Sequence, residues 1–343
     1  MQPAEPRQPE DAHFAPIAEI FGLRGGVNSE IRYVRSPLGT LTVEARYGAK
    51  KGGFPHAEAV RWSDDIAAYH DELARRGVPL PPLERMVIEH DRATERAVIV
   101  KTSPWTGHDV SHLLEHTPVG GDPDAVARLV RQICAILVPI CAERHVGWET
   151  EVGIDPRCSN FTVDADARMW FVDLFPPRFR KNGIPIVEWP HPQSDEGFRL
   201  GVFKHFDVRG IALTTIAQLS RILPLQKAAF ENDVIAGLAA ALRPEERTEL
   251  ADGLARSPWH RVRTALAAGN TAEVAAIIAG APTEPVFGAP YGVYALREIA
   301  LELAAAGRLT RQALEDFFRA SHYEDALPKE RLEGLIRQLQ AAT

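Results

Sequence analysis

The sequence predicts an α+β chain made of a small strand-rich lobe followed by a large, mostly helical one. Three observations carry this. Short segments of alternating apolar and polar residues cluster between residues 29 and 102, whereas helical spacing dominates further on. The stretch Ser103-Pro104-Trp105-Thr106-Gly107 breaks the pattern between the two regimes and reads as a linker. At 343 residues the chain is long enough for two lobes with a sizeable buried core.

Residues 1–16 hold four prolines and little apolar content, and read as a tail. The first lobe spans 17–103. Ser29–Arg35 alternates as a strand does, Leu38-Gly39 marks a turn, and Thr40–Tyr47 is the next strand. Gly48, Gly52 and Gly53 then punctuate the chain. From about Ala57 to Arg76, the positions Ile66, Tyr69 and Leu73 recur at helical spacing, and Gly77 with Pro79 ends the helix. Arg85–Glu89 and Ala97–Thr102 read as two more strands, joined by the polar turn Asp91–Glu95. The second lobe spans 104–343. It contains the long helix Asp124–His145, interrupted by Pro139, and an almost wholly helical region from 207 to 341. Within it a strand-like pair, Asn160–Val163 and Met169–Asp173, surrounds the turn Asp164–Ala167.

Bulk properties narrow the function classes. With 39 basic and 46 acidic side chains the formal charge is −7, which tilts against nucleic acid as a partner. No apolar run reaches the length of a membrane span, and the proline-rich N-terminus lacks the apolar core of a signal peptide. Three cysteines supply neither a disulfide framework nor a CxxC metal pattern. Cys134 and Cys141 lie seven apart on one helical face and read as small packing residues. The expectation is a reducing, cytoplasmic location with no membrane partner; oligomeric state is not legible.

The informative stretch is VGIDPRCSNFTVDADARMWFVD, residues 152–173. It places Asp155 first, Asn160 after four intervening residues, and Asp173 after twelve more. Phosphoryl transfer calls for these residue types. One carboxylate accepts or orients the attacking hydroxyl, and two oxygen ligands hold magnesium against nucleotide phosphates. A loop followed by a hairpin returns Asp173 toward the residues that precede it.

This D-x4-N pattern, followed by an Asp that ends the hydrophobic strand Phe171-Val172-Asp173, resembles the catalytic and metal loops of the protein-kinase-like superfamily. The branch of aminoglycoside, choline and homoserine kinases looks closest. The glycine stretch Gly25-Gly26-Val27-Asn28-Ser29 is similar to the family's nucleotide loop. Gly77-Val78-Pro79-Leu80-Pro81 resembles its exit from the first helix, and Phe206-Asp207-Val208-Arg209-Gly210 the start of a supporting helix. The resemblance covers about residues 21 to 220. It implies a bilobal protein-kinase-like fold that uses ATP and Mg2+. It gives Asp155 the role of base, and Arg157 that of steadying the transferring phosphate. Asn160 and Asp173 become the metal ligands, while Gly25, Gly26 and Asn28 cradle the nucleotide. Lys50 is the choice for the phosphate-gripping lysine, with Arg46 as its rival; the acid paired with it is Glu58, Asp65 or Glu72.

The chain departs from the family at two points. Gly153-Ile154 precedes Asp155 where the family usually has a His, and Asp173 is followed by Leu174-Phe175. Plainer readings stand beside the sharp ones. Lys50-Lys51 is by default a solvated surface pair, and Gly25-Gly26 alone is a loop signal. Cys158 reads as packing, not as a nucleophile. His108, His112 and His116, four apart, read as a solvated face in preference to a metal site. The expected function is ATP-dependent phosphorylation of a hydroxyl or amine on a small molecule. The alternative is a degenerate kinase-like protein that binds nucleotide or a partner protein for regulation. Transfer of an adenylyl group ranks last.

Overall fold

Alternation of inward and outward residues in Leu41–Tyr47 and Arg96–Pro104 builds the central strands of a five-stranded antiparallel sheet. The computed structural model describes residues 29–35, 41–187, 205–223, 226–255, 270, 300, 303–304 and 307–320. The fold is mixed α+β with small antiparallel sheets. It divides into two compact units: the described residues of Met1–Thr117 with Ser159–Val187, and those of Pro118–Cys158 with Glu188–Thr343. The first unit thus extends past the linker at Ser103 and takes in the hairpin that carries Asp173.

In the first unit β1 (Ser29–Arg35) pairs with β2 (Leu41–Tyr47), and β2 pairs with β5 (Arg96–Pro104). The short β3 (Phe54–Pro55) and β4 (Arg85–Asp91) both pair with β5. Helix α1 (His56–Arg75) buries Ala59, Ile66, Tyr69 and Leu73, the stripe its spacing predicts. It ends because Gly77 takes a left-handed φ of 75°, which lets Gly77 N–H bond Ala74 O at 2.9 Å and Val78 N–H bond Leu73 O at 3.1 Å. Buried Val78 lies next to buried Leu73 in this cap.

A second, three-stranded sheet holds β6 (His108–Asp109), β9 (Phe161–Val163) and β10 (Met169–Phe171). Its turn is made by Asp164, whose Oδ1 accepts from the N–H groups of Asp166 and Arg168 at 3.0 and 2.9 Å. Gly107 permits the close approach of β6: a Cβ there stands 1.7 Å from the carbonyl oxygen of Val163. The short helix α2 (Val110–His116) carries His112 and His116, which line one face with His108, the His108 ring stacking on His112 at 4.4 Å.

The second unit is built on α3 (Pro123–Ala142). Asp122 caps it, accepting from the N–H groups of Asp124 and Ala125. Its stripe from Val126 to Cys141 is buried, and it packs against α5 (Lys227–Gly237), which in turn packs on α4 (Val208–Ile222). Helix α3 is long and apolar enough to cross a membrane, a property that a buried core helix shares, and its apolar stripe is buried within the fold. It stops three residues short of the expected His145. Tertiary contacts win there: the Arg144 guanidinium donates to the Ala241 carbonyl at 3.0 Å and pairs with Glu246. The chain instead forms a small hairpin, β7 (Arg144–Val146) with β8 (Glu149–Thr150), turning at Gly147 with φ 54°. Beyond α4 and α5 the described helices are α6 (Pro244–Ala255) and α7 (Arg311–Ala320).

Candidate functional site

In the first unit the hairpin of β9 and β10 brings two of the expected residues together. Phe161 opposes Phe171, and Val172 N–H bonds the Asn160 carbonyl at 3.0 Å, so Asn160 and Asp173 flank the open end of the hairpin. Asn160 Nδ2 donates to Asp173 Oδ2 at 3.3 Å. The same oxygen accepts from Arg178 at 3.0 Å, and Oδ1 accepts from the Phe175 N–H at 3.3 Å. Arg178 is a buried side chain, so this ion pair is charge-assisted and shielded from solvent.

The basic group that faces this carboxylate from the sheet is Lys101. It lies on β5 directly opposite Ala45 of β2, whose single methyl crowds it least. The period of two puts Ala97, Ile99, Lys101 and Ser103 on one face, and all four are buried. At 4% exposure Lys101 cannot solvate its charge, and burial pushes its ammonium down to about 8, with Asp173 pulling the other way. Asp173 is the one charge acting on Lys101 among the described residues. Tyr47 shares that face, and burial followed by the Asp173 charge drives its phenol upward.

Phe175 anchors the segment after Asp173. Its ring stacks on Tyr47 at 5.0 Å and meets Phe54 and Trp62 at 5.8 and 5.6 Å. The Asp173-Leu174-Phe175 run, which lacks a glycine, is therefore pinned by an aromatic contact to β2 and α1.

Lys50 lies elsewhere, exposed on the one-turn helix Ala49–Lys51 that follows β2. Arg46 is tied to Glu44 and Glu89 at 3.0 and 2.5 Å. Of the candidate acids, Glu58 accepts from Trp62, Asp65 pairs with Lys181 at 3.6 Å, and Glu72 pairs with Arg75 and Arg76. Gly25, Gly26 and Asn28 lie outside the described residues. Sequence reading passed over Lys101. The available signal was a lone lysine at an inward position of an otherwise apolar strand, Ala97-Val98-Ile99-Val100-Lys101.

In the second unit Asp155 sits in the buried loop Val152–Pro156. Arg157 Nε is 3.5 Å from its Oδ2, and His205 Nδ1 is 3.9 Å from its Oδ1. Gly153-Ile154 stand immediately before Asp155 in place of a histidine, yet His205 stands beside it, contributed from fifty residues further on. The loop is hung on the segment His205–Asp207 by main-chain bonds. Thr150 N–H bonds Phe206 O at 2.7 Å, Ile154 N–H bonds His205 O at 2.8 Å, and Val208 N–H bonds Trp148 O at 3.1 Å. Gly153 is required by this proximity, since a Cβ there stands 2.4 Å from the His205 carbonyl oxygen. Asp207 caps α4 through the N–H groups of Arg209 and Gly210, and grips the Arg209 guanidinium at 2.6 Å. That guanidinium lies 5.1 Å from the Trp148 ring, with Arg144 at 5.7 Å from the same ring. Cys158 is a buried free thiol.

Neighbouring Asn160 and Asp173 have the donor types a magnesium ion takes, but Asn160 turns its amide nitrogen on Asp173 Oδ2, which also accepts from Arg178. Among the described residues no three or more His, Cys, Asp or Glu cluster to hold a metal. As arranged, this pair does not fit a divalent ion unless Arg178 leaves the carboxylate. No model of a known protein family matches the chain, and no curated protein matches it.

Proposed function

We propose that the chain is a protein-kinase-like phosphotransferase, bilobal in plan, that moves a phosphoryl group from ATP to a hydroxyl or amine of a small molecule. The observation that carries this reading is Lys101: a buried lysine on the sheet in the field of Asp173, with Asn160 on the same carboxylate. A buried ammonium of this kind is suited to the phosphates of a nucleotide, whose charge offsets the cost of its desolvation. Asp155 is the base that orients the attacking group, held by Arg157 and flanked by His205. Arg157 steadies the phosphoryl group as it passes. Asn160 and Asp173, which the resemblance gives to magnesium, flank the nucleotide end of the site in this reading.

The test is ADP release across a panel of hydroxyl- and amine-bearing metabolites, followed by Asp155→Asn on any that respond. Loss of an oriented base lowers turnover by about 100-fold or more while ATP affinity stays within about threefold. Full activity in that variant removes Asp155 from the mechanism. A second reading, a kinase-like protein that binds nucleotide or a partner without transfer, is favoured by the engagement of Asp173 with Arg178. It predicts ATP binding with no turnover on any acceptor.

A further inference from the structure

We propose that Arg178 stands in for a divalent cation at Asp173, so that the pocket binds the phosphates of its ligand without metal. The inference rests on the nucleotide-binding part of the reading above and concerns how that site meets its ligand's charge.

Three observations converge on it, all within the first unit. The Arg178 guanidinium sits 3.0 Å from Asp173 Oδ2 and is itself only 3% exposed, so it occupies the carboxylate from within the protein. Asn160 presents its amide nitrogen, a donor, to that same oxygen, whereas a metal ligand would turn its carbonyl oxygen to a cation beside the carboxylate. Lys101 is buried on the facing strand, with Asp173 as the one charge acting on it among the described residues. Asp173 thus organises two protein cations, one through direct contact and one through its field. A triphosphate needs a compact positive partner for its β- and γ-oxygens, and a divalent ion commonly supplies it. A guanidinium can supply it too, with planar donors that match phosphate oxygens, although it lacks the ion's double charge. On this view Asp173 is the counter-charge that the cations exchange for the anion, and is not a ligand.

The mutational consequence differs in sign from that of a metal site. Asp173→Asn destroys a metal site, but here it releases Arg178 and removes a negative charge from the anion's neighbourhood. The experiment is calorimetric titration of the full chain with ATP in EDTA and in magnesium, on wild type, Asp173→Asn, Arg178→Gln and Lys101→Met. Circular dichroism checks the fold of each. The expected result is wild-type affinity in EDTA within about threefold of that in magnesium, and ATP binding by Asp173→Asn in EDTA as tight as or tighter than wild type. Arg178→Gln and Lys101→Met each weaken binding by about tenfold or more in EDTA. Should Arg178→Gln not fold, the wild type and Asp173→Asn decide alone.

Binding that EDTA abolishes and magnesium restores overturns the inference and leaves the nucleotide reading standing. If ATP does not bind, inorganic tripolyphosphate is the second probe. Binding of tripolyphosphate in EDTA that Lys101→Met removes sustains the metal-free anion site while the nucleotide reading fails. No binding of either anion ends both.

Discussion

The two acids at the centre of the proposal are held in opposite ways. Asp173 is surrounded by side chains gathered from separate elements: Lys101 from β5, Arg178 from the segment beyond β10, and Asn160 at the mouth of the hairpin. The Asp155 loop is held mainly by main chain, through three hydrogen bonds to or from the His205–Val208 stretch and one glycine that admits the His205 carbonyl. Main-chain bonding of this kind satisfies buried polar groups and stabilises. Burying a lysine whose counter-charge is not in direct contact does the reverse. The Asp155 loop is thus rigid, the Asp173 neighbourhood carries a stability cost, and each can be broken separately.

The largest effect is expected on the rigid side, at Asp207→Ala. This carboxylate is 2% exposed, caps α4 and grips Arg209. Its removal leaves a half-buried guanidinium and two helix N–H groups without this acceptor, which costs about 3–4 kcal/mol. Urea unfolding measures it. A loss below about 1 kcal/mol would mean that the cap does not support the Asp155 loop, and the contrast between the regions fails.

The next effect has the opposite sign. Lys101→Met keeps the length and apolar stem of the side chain and removes the buried charge, so the variant is more stable than wild type at pH 7 by about 2–3 kcal/mol. The same substitution weakens ATP binding. A gain in stability coupled to a loss of binding is the signature of a group retained for its ligand. Equal losses of both would class Lys101 with the structural core.

Much of this was legible beforehand, and the limits have physical causes. The strands Ser29–Arg35 and Arg85–Asp91 and the first helix follow from period and capping, which are local. Asn160 and Asp173 are joined by a hairpin whose turn residues announce themselves, so their juxtaposition was readable as well. Lys101 was not, because its burial depends on which face of β5 is covered, and that is set by pairing with β2 and by the Phe175 segment. Lys50, which follows the second strand, is the residue the sequence points to instead, yet it sits on an exposed turn. The approach of His205 to Asp155 was out of reach for a similar reason. It rests on main-chain bonds between stretches fifty residues apart, which leave no periodic trace in either one. The end of α3 at Ala142, three residues before the expected His145, is set by Arg144 reaching Ala241 and Glu246, a contact no local rule contains.

The smallest and sharpest prediction is a pH dependence. In the folded chain Lys101 loses its proton near pH 8, in the unfolded chain near 10.5. Between those values the unfolded state holds the extra proton, so raising the pH removes the penalty of the buried charge and stabilises the fold. Cys134 and Cys141 act the other way: burial pushes both thiols up to about 12, so above about pH 9 the unfolded chain sheds protons that the folded chain keeps. The wild-type profile alone therefore mixes two signs. Subtracting the Lys101→Met profile cancels the thiols, which lie in the other unit, and isolates the lysine. The stability advantage of the variant should shrink from about 3 kcal/mol at pH 7 to about 1 kcal/mol at pH 10. Urea midpoints at half-unit steps of pH measure it. A gap that stays constant across this range means that Lys101 keeps its proton throughout, and that Asp173 compensates it fully without any ligand.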